Sequence, residues 1–124
     1  MEFNENRAIY LQIAELICEK ILSGHFKEDE RIPSVREMAV QLEVNPNTVM
    51  RTFEFLQSKD IITNKRGIGY FVSAGGLQTA MNFRKEEFIQ KELPQLFKTI
   101  HLLNMDFDEL KQMYVDYVKK LPTH

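Results

Sequence analysis

The sequence predicts a mainly helical chain with one small β-hairpin, an α+β arrangement in which an N-terminal domain is followed by a short helical tail. Three observations predict it. Apolar residues recur at helical spacing in separate stretches along the chain. Two β-branched and aromatic triplets, Ile61-Ile62-Thr63 and Tyr70-Phe71-Val72, flank a basic, turn-forming segment, Asn64-Lys65-Arg66-Gly67-Ile68-Gly69, which is the pattern of a hairpin. A small-residue run, Ser73-Ala74-Gly75-Gly76, then separates strand-like from helical sequence. The expected domains are therefore residues 1–75 and residues 76–124.

The first helix spans about Arg7 to Ser23. Ile9, Ile13, Leu16, Ile17 and Ile21 share one face, and Gly24 supplies a residue that takes the left-handed C-terminal conformation cheaply. Cys18 lies within this helix and reads as a small structural hydrophobe. The second helix starts at Pro33-Ser34, where Ser34 and Glu37 have the spacing of a capping box, and Val35, Met38, Ala39 and Leu42 form its apolar face. The third starts at Asn45-Pro46. Asn is a good N-cap, and Pro fits the first helical position because its missing donor would be unpaired there anyway. Val49, Phe53 and Leu56 make its apolar stripe, and it stops near Lys59-Asp60.

Beyond Gly76, Ile89, Leu93, Leu96, Phe97, Ile100 and Leu103 form a stripe in which Pro94 predicts a kink or break. Asp106 then opens a final amphipathic helix carrying Phe107, Leu110, Tyr114, Tyr117, Val118 and Leu121.

Composition narrows the function classes. The chain has 124 residues, 44% hydrophobic and 27% charged, a globular mixture. No apolar stretch is long enough for a membrane helix. Met1-Glu2-Phe3-Asn4-Glu5 is too polar to be expected as a secretory signal, and the expected compartment is the cytoplasm. One cysteine and three histidines give no metal-type cluster, so no metal or cofactor is expected. No paired carboxylates, nucleophile–base set or phosphate-binding glycine loop points to an enzyme; Gly67-x-Gly69 is too short and lies in the hairpin. Net charge is −2, yet residues 31–73 hold six Lys/Arg against four Asp/Glu. Nucleic-acid binding must then rest on where the basic residues point.

Two capped helices joined by the tight turn Glu43-Val44-Asn45, followed by a basic hairpin, have the layout of a helix-turn-helix with a wing. At about 100° per residue, setting Val49 inward turns Asn47, Arg51, Glu54 and Ser58 outward, with Thr48 and Met50 on the flanks. Asn, Thr and Arg at a helix start suit a major groove: Arg reaches guanine O6 and N7, Asn reaches adenine N6 and N7, and Thr reaches phosphate or a thymine methyl. Taken alone, these residues are better read as an ordinary solvated helix face. The order of the elements favours the DNA reading.

Ile9-Tyr10-Leu11-Gln12-Ile13, Ile21-Leu22-Ser23-Gly24, Arg31-Ile32-Pro33-Ser34-Val35-Arg36-Glu37, Val44-Asn45-Pro46-Asn47-Thr48-Val49 and Gly67-Ile68-Gly69-Tyr70-Phe71-Val72 together resemble the GntR family of bacterial transcription regulators. The resemblance covers about residues 8–73, and the short tail resembles that of the YtrA subfamily, where it serves mainly in dimerisation. It implies a winged helix-turn-helix that binds a DNA operator as a homodimer. By that resemblance Arg36 contacts DNA from the second helix, Asn45, Asn47 and Thr48 lie at the start of the recognition helix, and Arg66 and Gly67 form a wing tip near the minor groove. Ser34, Lys65 and Arg51 complete the expected set. Three departures stand out. Met50 replaces a frequent arginine, with Arg51 expected to compensate. Glu43 replaces a turn glycine, implying a strained or altered turn. Lys27-Glu28-Asp29-Glu30 replaces a Pro-Gly pair and is expected to face away from DNA.

The tail helices are too small to bury their apolar faces against each other. Packing them against a second copy solves this and suits a palindromic site; folding back on the N-terminal domain is the other solution. The expected dimer residues are Ile89, Leu93, Leu96, Phe97, Ile100, Phe107, Leu110, Tyr114 and Tyr117. His101, Tyr114, Asp116 and Tyr117 are the residues available for an unidentified small-molecule effector. Asp106, Asp108 and Glu109 are better explained by the helix dipole. The leading expectation is a homodimeric repressor; the alternative is a winged-helix protein-interaction module that does not bind DNA.

Overall fold

The computed structural model describes Phe3 and residues 7–122. The remainder of Met1–Glu5, expected not to act as a secretory signal, lies outside the described residues. In order come α1 (Ile9–Leu22), α2 (Val35–Leu42), α3 (Pro46–Ser58), β1 (Ile62–Lys65), β2 (Gly69–Val72), α4 (Gly76–Glu87), a π-helical turn (Phe88–Glu92), α5 (Leu93–Leu102) and α6 (Phe107–Lys119). The chain divides into two compact units between Lys85 and Glu86, rather than at the small-residue run near 75. The reason is packing. Ala80 is fully buried in the N-terminal core, Phe83 meets Phe55 edge-on at 5.5 Å, and Arg84 pairs with Glu15 at 3.6 Å.

In the N-terminal unit α1, α2, α3 and the hairpin enclose one core. It contains Ile13, Ile17 and Ile21 of α1, Met38 and Ala39 of α2, Val49, Phe53 and Leu56 of α3, and Ile61, Ile62 and Val72 around the hairpin. Burying each large side chain of this kind contributes roughly 1.5–3 kcal/mol relative to exposure. On α1 the buried stripe is rotated from the expected one. Ala14 and Cys18 are inside, Leu16 is half-buried and Ile9 is exposed. Burial pushes the Cys18 thiol up to about 12, so it stays protonated at neutral pH and is inert packing.

The helix boundaries follow from caps. Asn45 Oδ1 accepts the Asn47 N–H at 2.8 Å, with Pro46 at the first position of α3. Glu43 sits at φ 56°, ψ 46°, so the α2–α3 turn keeps the left-handed shape a glycine would take, at a cost of about 1–2 kcal/mol for a residue with a Cβ.

The hairpin is antiparallel, with Ile62 opposite Val72 and Lys65 opposite Gly69. Its strands reach further than the two triplets, leaving Arg66-Gly67-Ile68 as the tip. A third edge was not foreseen. Residues 28–32 run beside β2: the Asp29 N–H donates to the Val72 carbonyl at 2.9 Å, and the Ile32 N–H to the Tyr70 carbonyl at 2.9 Å. The acidic segment 27–30 is therefore fastened to the wing rather than being a free loop, and Glu28 accepts the Gly75 N–H.

In the C-terminal unit the break expected at Pro94 takes the form of the π-helical turn just before it. Pro94, lacking an N–H, occupies the second position of α5. Asp106 caps α6 through the Asp108 N–H at 3.4 Å. Ile100 is buried and Leu93 and Leu110 are half-buried, whereas Ile89, Leu96, Phe97, Phe107, Tyr114 and Tyr117 are exposed, Tyr114 to 66%. No helix among the described residues is long and apolar enough to cross a membrane.

Candidate nucleic-acid interface

The N-terminal unit presents three groups of the expected DNA-facing residues. The first lies at the start of α3. Asn47 and Arg51, one helical turn apart, are exposed, and Thr48 beside them is half-buried. With Ala8, Ile9 and Tyr10 they line an open cleft of about 390 Å³ between the starts of α1 and α3. The outward rotation derived for Arg51 holds, but its guanidinium is not free in solvent: its carbon lies 3.9 Å from the centroid of the Tyr10 ring. Among the described residues no carboxylate pairs with it.

α3 is fastened to α1 directly beneath this group. The hydroxyl of Thr52, fully buried, donates to the Tyr10 carbonyl at 2.8 Å, and Tyr10 meets Phe55 edge-on at 6.1 Å. The polar tip therefore rests on a packed seam. Met50, at the position where an arginine contact was not expected, is 39% exposed and supplies no charge.

The second group is at the start of α2, where Ser34 and Arg36 line a shallow depression. Ser34 and Glu37 close the capping box: the Glu37 N–H donates to Ser34 Oγ at 3.1 Å, and the Ser34 N–H donates to Glu37 Oε1 at 3.0 Å. The Ser34 N–H first, and then the Ser34 hydroxyl, hold the Glu37 carboxyl below its ordinary range, and the nearby Arg31 charge acts in the same direction. Arg36 is exposed on the first turn. Ser34→Ala should destabilise the protein by about 1 kcal/mol, measured by denaturant titration. Because Glu37 ionises more readily in the folded state, its share is present above the carboxylate range and lost as pH falls through it. The backbone N–H at position 34, the larger cause, survives Ser34→Ala, so the gap between the variant and wild type should narrow only slightly in acid.

The third group is the wing. Lys65 and Arg66 are exposed, and Gly67 takes φ +79° at the tip. The Lys65 ammonium lies 4.2 Å from the Phe71 ring centroid, a diagonal cross-strand contact. The side chain of Arg31, one of the fastened residues beside β2, lies along the wing next to its tip, so that a Cβ at Gly69, the residue opposite Lys65, would lie 2.9 Å from its Nε. The Arg31 side chain is flexible enough to move aside, and it is the φ of +142° at Gly69 that calls for glycine there.

Sequence reasoning did not single out Tyr10 or Arg31. Both act through neighbours distant in sequence, so no spacing within a helix marks them. Among the described residues no group of three His, Cys, Asp or Glu side chains could hold a metal ion.

Residues 9–72 match the family of bacterial regulatory proteins named gntR. The chain is 39% identical over 72 residues to the uncharacterized HTH-type regulator YhcF of Bacillus subtilis, spanning 60% of that protein's length and 58% of its own. It is 33% identical over 104 residues to the HTH-type transcriptional repressor YtrA of Bacillus subtilis, covering 84% of this chain and 79% of that one. Among solved structures it is similar to a GntR-family transcriptional regulator of Bacteroides thetaiotaomicron, at 46% identity and a TM-score of 0.72, covering 91% and 98% of the two chains. A wing, a capped recognition helix and a short helical tail on a sequence with these likenesses place the chain in the GntR family of bacterial transcription regulators, with a YtrA-like organisation and the family's DNA-binding helix-turn-helix.

Proposed function

We propose that this chain is a homodimeric repressor that binds a palindromic DNA operator in the bacterial cytoplasm. The observation that carries the reading is the exposed polar tip of α3, with Asn47 and Arg51 outward on a helix whose other face is locked in the core. Asn47 reads a base edge in the major groove, with Thr48 beside it. Arg36 and Arg51 neutralise phosphates, and the capped starts at Ser34 and Asn45 bring helix ends and their N–H groups to the backbone. Lys65, Arg66 and Gly67 bring the wing to the adjacent minor groove. Two chains join through the tail, where Leu96, Phe97, Phe107, Tyr114 and Tyr117 leave apolar surface in water. The similarity to a repressor, YtrA, supports the sign of regulation.

Asn47→Ala should weaken operator binding by about 1–3 kcal/mol and relax preference at one base pair, while Arg36→Ala should weaken all sequences alike. Both should leave thermal stability and dimerisation unchanged. Mobility-shift titrations on wild-type and base-substituted duplexes distinguish the two, and wild-type affinity in both variants would contradict the assigned face. The net charge of −2 favours a second reading, a protein-interaction module. Salt separates them: DNA affinity falls steeply as salt rises, through counterion release, and a protein contact of this kind does not.

A further inference from the structure

We infer that Tyr10, on the first helix and outside the helix-turn-helix, is a positioning residue for DNA binding: its ring holds the Arg51 guanidinium in place for a phosphate. The inference rests on the DNA-binding reading above and extends it to a residue that touches DNA only through its neighbour. Arg51 stands on the exposed side of α3, where a long side chain ordinarily samples many rotamers. Here the guanidinium lies 3.9 Å from the Tyr10 ring centroid. The ring is itself fixed. Phe55 packs against it edge-on at 6.1 Å, and the Tyr10 carbonyl accepts the Thr52 hydroxyl at 2.8 Å. Arg51 and Thr52 are successive residues of α3, so the bond that pins the helices also sets the height of the guanidinium over the ring.

Stacking engages the flat face of a guanidinium and leaves its edge donors available. Among the described residues no carboxylate competes for them. The stack directs the charge toward the α1 side of the cleft, beside Asn47 and Thr48 rather than straight out from the helix axis. That placement suits the duplex backbone flanking the groove, and a backbone contact carries charge without sequence preference. Part of the ordering cost of an arginine–phosphate contact is met before DNA arrives, which raises affinity by preorganisation.

The test uses the full chain and a mixed-sequence duplex of about three helical turns, a probe that needs no known operator. Tyr10→Phe, which keeps the ring, should bind as wild type does. Tyr10→Leu should bind about fivefold more weakly, the worth of an exposed cation–π contact. Arg51→Ala should bind about tenfold more weakly, with the slope of log affinity against log salt reduced by about one. In the Arg51→Ala background Tyr10→Leu should add nothing. Arg51→Lys keeps the charge and leaves the core untouched, so it stays informative if Tyr10→Leu fails to fold. It should lose most of what Arg51→Ala loses, since an ammonium does not stack as a plane. A ring-shifted Arg51 Nε–H resonance, present in wild type and Tyr10→Phe and absent in Tyr10→Leu, reads the stack without DNA. Full binding by Tyr10→Leu or Arg51→Lys, or additive losses in the double variant, overturns the inference and leaves the DNA-binding reading standing. A wild-type chain that shows the resonance but binds no duplex overturns the DNA-binding reading, and the role of Tyr10 with it.

Discussion

Replacing Phe97 and Tyr114 together with glutamate should leave the chain monomeric and weaken operator binding by at least about a hundredfold, because the second recognition helix then no longer binds as part of the same molecule. Both side chains are exposed, Phe97 to 48% and Tyr114 to 66%, so their replacement leaves no cavity in the N-terminal core. A cluster of exposed apolar side chains such as Leu96, Phe97, Phe107, Tyr114 and Tyr117 is the kind of surface that a partner covers, and glutamates there would put buried charge into the proposed contact. Light scattering gives the oligomeric state, and a titration against the same duplex gives the affinity. A variant that remains dimeric moves the interface elsewhere in the chain. A monomer that binds as well as wild type removes the need for a dimer.

The second large effect concerns stability. Phe53→Ala should destabilise the protein by about 3–5 kcal/mol, a large part of what a domain of this size possesses. Phe53 is fully buried and meets Tyr70 of β2 edge-on at 4.7 Å, so one ring joins the recognition helix to the wing. Small relief is available from collapse, since its core neighbours Val49, Leu56 and Ile62 are held on elements fixed by their own hydrogen bonds. Denaturant unfolding measures the loss. A cost below about 1 kcal/mol would mean that this ring does not bear the packing assigned to it. Operator affinity should fall in parallel at temperatures where the variant begins to open.

Most of the helix-turn-helix could be read from local chemistry. Ser34 with Glu37, and Asn45 with Pro46, are signals confined to four residues, and both helices start where those residues say. The outward set on α3 followed from rotation about a helix whose core stripe, Val49, Phe53 and Leu56, was clear. Non-local contacts were not legible. The pairing of residues 28–32 with β2 carries no periodicity, because its hydrogen bonds are between backbones some forty residues apart in sequence. The stack of Arg51 on Tyr10 joins two helices whose separate patterns say nothing of their register. The compact unit extends to Lys85 because Ala80 and Phe83 complete the core, whereas the glycine run near residue 75 marks only a turn. On α1, Ala14 and Cys18 are buried while Ile9 is exposed and Leu16 half-buried, because the side of the helix that packs is set by neighbours elsewhere in the chain.

Two copies of this chain should present the same polar helix tip to one duplex. Selection of bound sequences from a random double-stranded pool by the purified protein tests it most directly. The expected result is enrichment of an inverted repeat whose half-sites are separated by about one helical turn of DNA, and loss of preference at matching positions in both halves with Asn47→Ala. Recovery of a single unrepeated motif, or of no motif at all, would contradict it.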